Sequence, residues 1–246
     1  MSAHFLPPCV PIDRLLPTVQ QQGYAVLDAR SVQQWAGLSA QSLATLQPAW
    51  DDLPSDAYLK DGGRYRRRRH SCFVVDGEKV EQVPHRAHWQ PVAYNALHGG
   101  MLRWFEPMDP AMVANPTWTQ VLRQLAAAAS SLKGQQPWYI ESHLFRIDTT
   151  DGIGRPTPEG AHRDGVDFVA VFMVGRHRIK GGESRVFEAQ GPNGQRFTLT
   201  EPWSLLLLDD ERVIHETTPI QPVDGPDGLG WRDTLVITLR GGGFQS

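Results

Sequence analysis

Cysteine is scarce in this chain of 246 residues, which contains only Cys9 and Cys72. Two isolated cysteines in unrelated surroundings predict neither a disulfide framework nor a cysteine-based zinc site, and they suit a reducing compartment. Long apolar runs are missing too, since no stretch approaches the roughly 20 residues that cross a bilayer. The chain also opens without the charged and apolar segments of a secretory signal. We therefore expect a cytoplasmic protein without a membrane partner.

A large excess of charge of either sign is also missing. The formal net charge is −3, with 40% hydrophobic and 21% charged residues, as in an ordinary globular domain. One basic run, residues 66–69, lies on a predicted strand, where alternate side chains face opposite sides and form no dense patch. Half of these arginines are expected to face an anionic pocket, because a guanidinium group suits carboxylates. We therefore predict no nucleic-acid partner.

The two halves of the chain differ in pattern. Residues 1–135 are predicted to form an α-rich layer that includes a β-hairpin at Asp76-Gly77. The helices of this layer are predicted at residues 12–22, 39–46 and 119–132. Residues 136–246 contain short strands separated by Gly/Pro turns, with no helix between them. This pattern indicates an antiparallel sandwich or barrel within one domain that is α+β but mainly β.

Two histidines and a carboxylate stand beside predicted strands. His162 and Asp164 directly precede an apolar run at 168–174, and residues i and i+2 of a strand share a face. His215 follows a second apolar run at 205–209. Two imidazoles and one carboxylate form the facial triad of non-haem Fe(II) oxygenases, which leaves three positions of an octahedral ion open. The alternative interpretation is a hydrogen-bonded His-x-Asp pair in a loop.

Three further histidines, His85, His88 and His98, lie in a loop-rich segment. They have no partner carboxylate at a regular spacing. We interpret them as surface or hydrogen-bonded histidines rather than metal ligands.

Several longer segments carry a resemblance to a known family. HRDGVDFVAVFMVGRH, GGESRVFEA and LLLLDDERVIHETTPI in the second half, with YRRRRHSCFVVDG and YNALHGGMLRWFEP in the first, resemble the Fe(II)/2-oxoglutarate dioxygenases. Within that family they are most similar to the bacterial group of L-isoleucine 4-hydroxylase and the biofilm, stress and motility protein BsmA. The resemblance implies a double-stranded β-helix, a cupin-like jelly roll with N-terminal helices packed outside. Residues 136–246 would form its core.

The resemblance also implies the cofactors and the residues that bind them. His162, Asp164 and His215 would ligate Fe(II), with 2-oxoglutarate and O₂ as co-substrates and ascorbate as an aid. Arg232 and Thr234, which share a strand face, would bind the distal carboxylate of 2-oxoglutarate, with Arg240 as the alternative arginine.

The implied reaction hydroxylates an aliphatic C–H bond of a free L-amino acid such as isoleucine, leucine or methionine, and releases succinate and CO₂. Substrate contacts are expected from Arg146, Glu141, Arg67 and Asn95. The alternatives are the same chemistry on another small metabolite, or a non-catalytic jelly roll that senses a ligand. A homodimer is compatible with the sequence, but no segment identifies its interface.

Overall fold

The computed structural model describes residues 5–95, 97–223, 225 and 228–245. Part of the segment on which the missing secretory signal was judged, and part of the loop at 222–230, lie outside these residues. Within the described ranges, no helix combines the length and the apolarity needed to cross a membrane.

Helices occupy the first half of the chain. They are α1 (Leu15–Gln22), α2 (Ala29–Ala36), α3 (Ala40–Ala44), α4 (Pro110–Val113) and α5 (Pro116–Lys133), with 3₁₀ turns at Ile12–Arg14 and Gln47–Trp50. The three predicted helices correspond to the first turn with α1, to α3 and to α5. Helix α2 was not predicted, although Asp28 caps it by accepting a hydrogen bond from the Ser31 amide at 2.7 Å.

The strands form one large sheet and two small ones. They are β1 (Tyr24–Leu27), β2 (Arg66–Asp76), β3 (Lys79–Gln82), β4 (Trp138–Asp148), β5 (Phe168–His177), β6 (Ile179–Gly181), β7 (Ser184–Glu188), β8 (Gly194–Phe197), β9 (Leu205–Asp209), β10 (Val213–Thr217), β11 (Ile220–Pro222) and β12 (Trp231–Gly241). The large sheet has the order β1-β9-β5-β12-β4-β2-β3, and the small sheets are β10-β7-β8 and β11-β6. The predicted mainly β jelly roll is confirmed, and β2 and β3 form the predicted hairpin.

The strands of the large sheet have two different faces. On β5, Phe172 belongs to the core that includes the apolar residues of α5, whereas Met173 belongs to a second core that includes Val186 of β7 and Val213 of β10. Successive side chains of a strand point to opposite faces. The helices therefore cover one face of the large sheet, and the three-stranded sheet covers part of the other.

Replacing Phe172, which is only 1% exposed, by alanine should lower the free energy of unfolding by about 3–5 kcal/mol, because it leaves a cavity in a packed core. The matched control is Phe187→Ala at a side chain that is 37% exposed. Denaturant unfolding of both variants tests this expectation. An equal loss of unfolding free energy in the two variants would contradict the assignment of Phe172 to the main core, the one that includes the apolar residues of α5.

Candidate active site

A cavity of about 120 Å³ opens on the face of the large sheet away from the helices. The cavity joins residues from both halves of the chain. Its polar lining includes Arg66, Arg68, Gln90, Asn95, His98, Arg103, Glu159, His162, Asp164, His215, Arg232 and Thr234. The structure thus brings the three predicted metal ligands and the predicted arginine–threonine pair into one space.

The two histidine segments are joined through their main chains. The His162 amide donates to the His215 carbonyl at 3.0 Å, and the His215 amide donates to the His162 carbonyl at 2.9 Å. The carboxylate of Asp164 faces both rings, with its oxygens 3.8 Å from Nε2 of His162 and 3.6 Å from Nε2 of His215. One ion with metal–ligand distances near 2 Å would fit these three donor atoms after small side-chain rotations.

The hydrogen bonds of the imidazoles suit metal binding. Nδ1 of His162 donates to the Gly160 carbonyl at 2.9 Å, which leaves Nε2 as the ring nitrogen that faces Asp164. A ligating histidine usually donates its other N–H in this way. Nδ1 of His215 has no hydrogen-bond partner in the described ranges. Burial and the neighbouring His162 lower the pKa of His215 to about 3, so His215 is neutral, as a ligand must be.

The charges of this cluster influence one another. Burial opposes the charge on His162, but the carboxylates of Asp164 and Glu159 outweigh burial and raise the pKa of His162. Burial raises the pKa of Asp164. A divalent ion would relieve this tension by favouring the ionised carboxylate and the neutral ring.

Asp210 fixes the segment that carries Asp164. Its carboxylate accepts three main-chain N–H bonds, from Asp164 at 3.0 Å, from Gly165 at 2.7 Å and from Val166 at 3.1 Å. Gly165 has a φ of +78°, and a Cβ there would lie 2.5 Å from the Tyr94 ring, so glycine is required at this turn. Asp210 was not predicted from the sequence, in which the pair Asp209-Asp210 after a buried strand was the available signal.

Gln90 holds the carboxylate of Asp164 from the other side. Its Nε2 donates to Oδ1 of Asp164 at 2.9 Å. Its Oε1 accepts from Asn95 at 3.0 Å and from Arg103 at 2.9 Å. Asn95, a predicted substrate contact, thus lines the cavity and also positions Gln90. No local pattern marks Gln90, because its role depends on a contact between residues far apart in sequence.

Arg232 and Thr234 face the cavity together and are almost fully buried. Nε of Arg232 has no hydrogen-bond partner among the residues that the structure describes. Burial and the neighbouring Arg176 lower the pKa of Arg232 to about 9. A buried cation of this kind is stabilised by an anion. The alternative, Arg240, does not line this cavity and donates instead to the carbonyls of Gly243 and Phe244, at 2.9 Å and 3.1 Å.

A second cluster of histidines surrounds Glu141. Its Oε2 accepts from Nε2 of His70 at 3.0 Å and from Nδ1 of His88 at 2.6 Å, with His143 nearby. Burial lowers the pKa of all three histidines, so the rings are neutral. Arg68 donates to Nδ1 of His143 at 2.6 Å, so the ring proton of His143 is on Nε2, the atom that faces the cluster. These bonds form a hydrogen-bond network that includes His88, as expected, although Nδ1 of His70 has no partner among the described residues. The network places Glu141 behind the cavity wall.

The two predicted arginine contacts lie elsewhere. Arg146 forms a bidentate pair with Asp233, with distances of 2.8 Å and 2.6 Å, and its guanidinium lies over the ring of Trp231. Arg67 lies 3.5 Å from Asp148, also on the face of the sheet opposite the cavity. Neither lines the cavity. Both residues were predicted on the wrong face of their strands, since even-numbered residues of β2 and odd-numbered residues of β4 face the cavity.

The alternation expected for the arginine run is confirmed, with Arg66 and Arg68 on the cavity side. Asp56 balances their charge. Its Oδ2 is 2.7 Å from Nε of Arg66 and 3.8 Å from Nη1 of Arg68, and its carboxylate is completely buried. The guanidinium of Arg68 also lies between the rings of Phe105 and Phe145, at 3.7 Å and 4.3 Å.

Comparisons with known proteins agree on one family. The family model described as 2OG-Fe dioxygenase matches residues 47–238. The L-isoleucine-4-hydroxylase of Bacillus thuringiensis is 23% identical over 206 residues, which cover 80% of this chain and 82% of that protein. A crystal structure of a BsmA homolog from Methylobium petroleophilum is 50% identical, with a TM-score of 0.91 over 98% of this chain and 97% of that one. The structure of IDO from Bacillus thuringiensis has a TM-score of 0.76 at 18% identity, over 96% of this chain and 100% of that one.

Replacing Asp56 by asparagine should lower the free energy of unfolding at neutral pH by about 3–5 kcal/mol, because Arg66 and Arg68 stay buried without their carboxylate. Burial opposes ionisation of Asp56, but the two guanidiniums outweigh burial and hold its pKa below the ordinary value. The contribution of the carboxylate is therefore complete above its unfolded pKa, near 3.9, and is lost as the pH falls through the lower folded value.

Denaturant unfolding between pH 3 and pH 7 tests this expectation, with Asp52→Asn as the matched control at a fully exposed carboxylate. A difference from the unmodified protein that stays constant over this pH range would contradict the assigned ion pair.

Proposed function

The chain belongs to the 2OG-Fe dioxygenases, and on this premise we propose that it hydroxylates an aliphatic C–H bond of a free L-amino acid such as isoleucine, leucine or methionine. As a member of this family it uses Fe(II), 2-oxoglutarate and O₂. The observation that carries the proposal is a single cavity that joins two imidazoles, one carboxylate and a buried arginine that has no bonded anion among the described residues. The named activity of the Bacillus thuringiensis relative supports an amino-acid substrate.

We assign the iron ligands to His162, Asp164 and His215. Their donor set is the two-histidine, one-carboxylate combination that Fe(II) oxygenases use. The residues present fit an ion, because Nδ1 of His162 is already bonded to a carbonyl and Nε2 of both rings faces Asp164. Among the described residues, the Glu141 cluster is the other group within ligand distance. It fits an ion less well, because Arg68 places a guanidinium beside it and holds His143 in the wrong tautomer.

We assign the distal carboxylate of 2-oxoglutarate to Arg232, with Thr234 as a further hydrogen-bond donor. The two side chains share the cavity face of β12. The fixed fork of a guanidinium matches a carboxylate in a bidentate manner. The carboxylate would also supply the negative charge that the burial of Arg232 demands.

The protein's own residues supply orientation and shelter from water. Bound iron and 2-oxoglutarate together supply the oxidising power that cleaves an aliphatic C–H bond with O₂. Asp210 and Gln90 hold Asp164 in one orientation, through its main chain and its side chain. Phe145, Val171 and Val236 give the strands around Arg232 an apolar lining. These contacts limit the movement of bound reactants and exclude water from the reacting bond.

Replacing His162 by alanine should weaken Fe(II) binding by more than about 100-fold, since even the outer partners of ligands are worth 10–100-fold. Anaerobic Fe(II) titration measures this effect, and succinate release from 2-oxoglutarate should be lost in parallel. The control is His143→Gln in the Glu141 cluster, which should keep one Fe(II) per chain. Loss of iron in the control, with retention in His162→Ala, would place the iron in the Glu141 cluster.

Replacing Arg232 by leucine should raise the dissociation constant for 2-oxoglutarate roughly 30-fold or more, because removing one member of a buried charge pair costs about 2 kcal/mol or more. The lysine variant should bind better than the leucine variant, since it restores the charge without the fork. The matched control is Arg240→Leu, which should bind 2-oxoglutarate as tightly as the unmodified protein. The reverse ranking would transfer the role to Arg240.

A further inference from the structure

One wall of the cavity is almost entirely polar. The wall consists of the cavity side of β2 and the loop between its hairpin and α4, and it carries Arg66, His98 and Arg103. Glu159, from the segment before His162, lines the same cavity. The apolar lining side chains lie mainly on β4, β5 and β12, the strands around Arg232. A ligand group that contacts the polar wall must therefore be polar or charged.

The wall has hydrogen-bonding capacity that the described residues do not use. Neither ring nitrogen of His98 has a partner in the described chain, although its side chain is only 1% exposed. Among the same residues, Nη2 of Arg66, Nε of Arg103 and Oε2 of Glu159 are buried without partners. Buried polar groups in native proteins are normally hydrogen-bonded. Of the twelve such atoms in the described residues, eight belong to residues that line this cavity, so a ligand in the cavity is the expected partner.

The charges of the wall favour an anion beside it. Arg66 and Arg68 share the carboxylate of Asp56, whereas Arg103 bonds to the amide oxygen of Gln90. In the described part of the chain, three guanidiniums are thus matched by one bonded carboxylate. Burial and the nearby Arg66 lower the pKa of His98 to about 4, so its ring is neutral and offers one donor and one acceptor.

This anion site is separate from the one at Arg232. Arg66 and Arg232 are both paired with Ile147 of β4, from opposite sides. Two strand spacings, about 10 Å, therefore lie between their main chains. From this spacing we expect room for two anionic groups, one at each arginine.

Glu159 places a carboxylate in the same cavity as the polar wall. Its Oε1 lies 3.6 Å from Nε2 of His162, and its Oε2 is one of the unpartnered atoms among the described residues. A carboxylate beside a row of guanidiniums is complementary to a ligand that carries both charges, as the head group of an α-amino acid does.

We propose that this wall is the head-group site of the substrate, where Arg66, His98 and Arg103 bind the α-carboxylate and Glu159 binds the α-ammonium. The inference rests on the proposed function for the identity of the reaction, but it concerns binding and can be tested without turnover. It also predicts which derivatives of an amino acid bind weakly to the enzyme. A free carboxylate and a free ammonium are both required.

Binding is measured first, by calorimetry with the twenty common L-amino acids and the unmodified full-length chain. The amino acid that binds best is then compared with its amide, its N-acetyl derivative and the analogue that lacks the amino group. We expect each loss of charge to weaken binding by about 10–100-fold, as a hydrogen bond to a charged group is worth 1.5–3 kcal/mol. Equal binding of the free and blocked compounds, or no binding of any amino acid, would overturn the proposal.

Glu159→Gln identifies the ammonium partner. It should reduce the preference for the amino acid over its des-amino analogue by about tenfold or more, while the preference over the amide persists. A residue with a merely structural role would weaken all compounds alike and leave these ratios unchanged. The matched control is Glu106→Gln, at an exposed carboxylate bonded to Arg69 outside the cavity. Unchanged ratios in Glu159→Gln would remove the ammonium assignment.

The outcomes separate this inference from the proposed function. Fe(II) and 2-oxoglutarate that bind as expected, with no selection for a free head group, would leave the iron assignment intact and overturn the head-group site. Head-group selection without any Fe(II) binding would support the wall and overturn the iron assignment.

Discussion

The carboxylate of Asp210 is the contact on which the arrangement of the site depends. It follows β9 and accepts three consecutive main-chain N–H groups from the turn that carries Asp164. This bond set fixes the turn before β5 relative to β9, so the main chain of Asp164 is held in place. The main-chain bridge between His162 and His215 then sets the separation of the two rings. Gln90 then orients the side-chain carboxylate of Asp164 by donating to its Oδ1.

The large sheet serves two purposes through one alternation. Along β12, Leu235, Ile237 and Leu239 enter the main core, whereas Arg232 and Thr234 enter the cavity. The buried apolar face also fixes the cations on the opposite face. A shift of the strand register by one residue would move the apolar side chains into the cavity and the arginine and threonine into the core. The strand register that keeps the core stable therefore also determines the position of the arginines.

The sequence predicted those parts of the site that follow from local pattern. The His162–Asp164 spacing and the Arg232–Thr234 spacing each place two side chains on one face of a strand. The alternation of the arginine run was also predictable, but which parity faced inward was not, because this depends on the register of β2 against β4. The roles of Asp210 and Gln90 escaped notice for the same reason. Each acts on a residue 44 or more positions away, and no local pattern encodes such a contact. Helix α2 was missed although its capping aspartate was visible.

The bridge between His162 and His215 also bears on how the ion is chosen. Main-chain hydrogen bonds, which need no metal, bring the two proposed ligand segments together. An ion therefore enters a site that folding has already formed, in contrast to a zinc finger, which folds around its metal. Preformed imidazole and carboxylate donors bind cobalt, nickel and copper more tightly than Fe(II). The metal that occupies the site then depends on which free ions the cell supplies. The metal content of the purified protein therefore depends on the host in which it was produced.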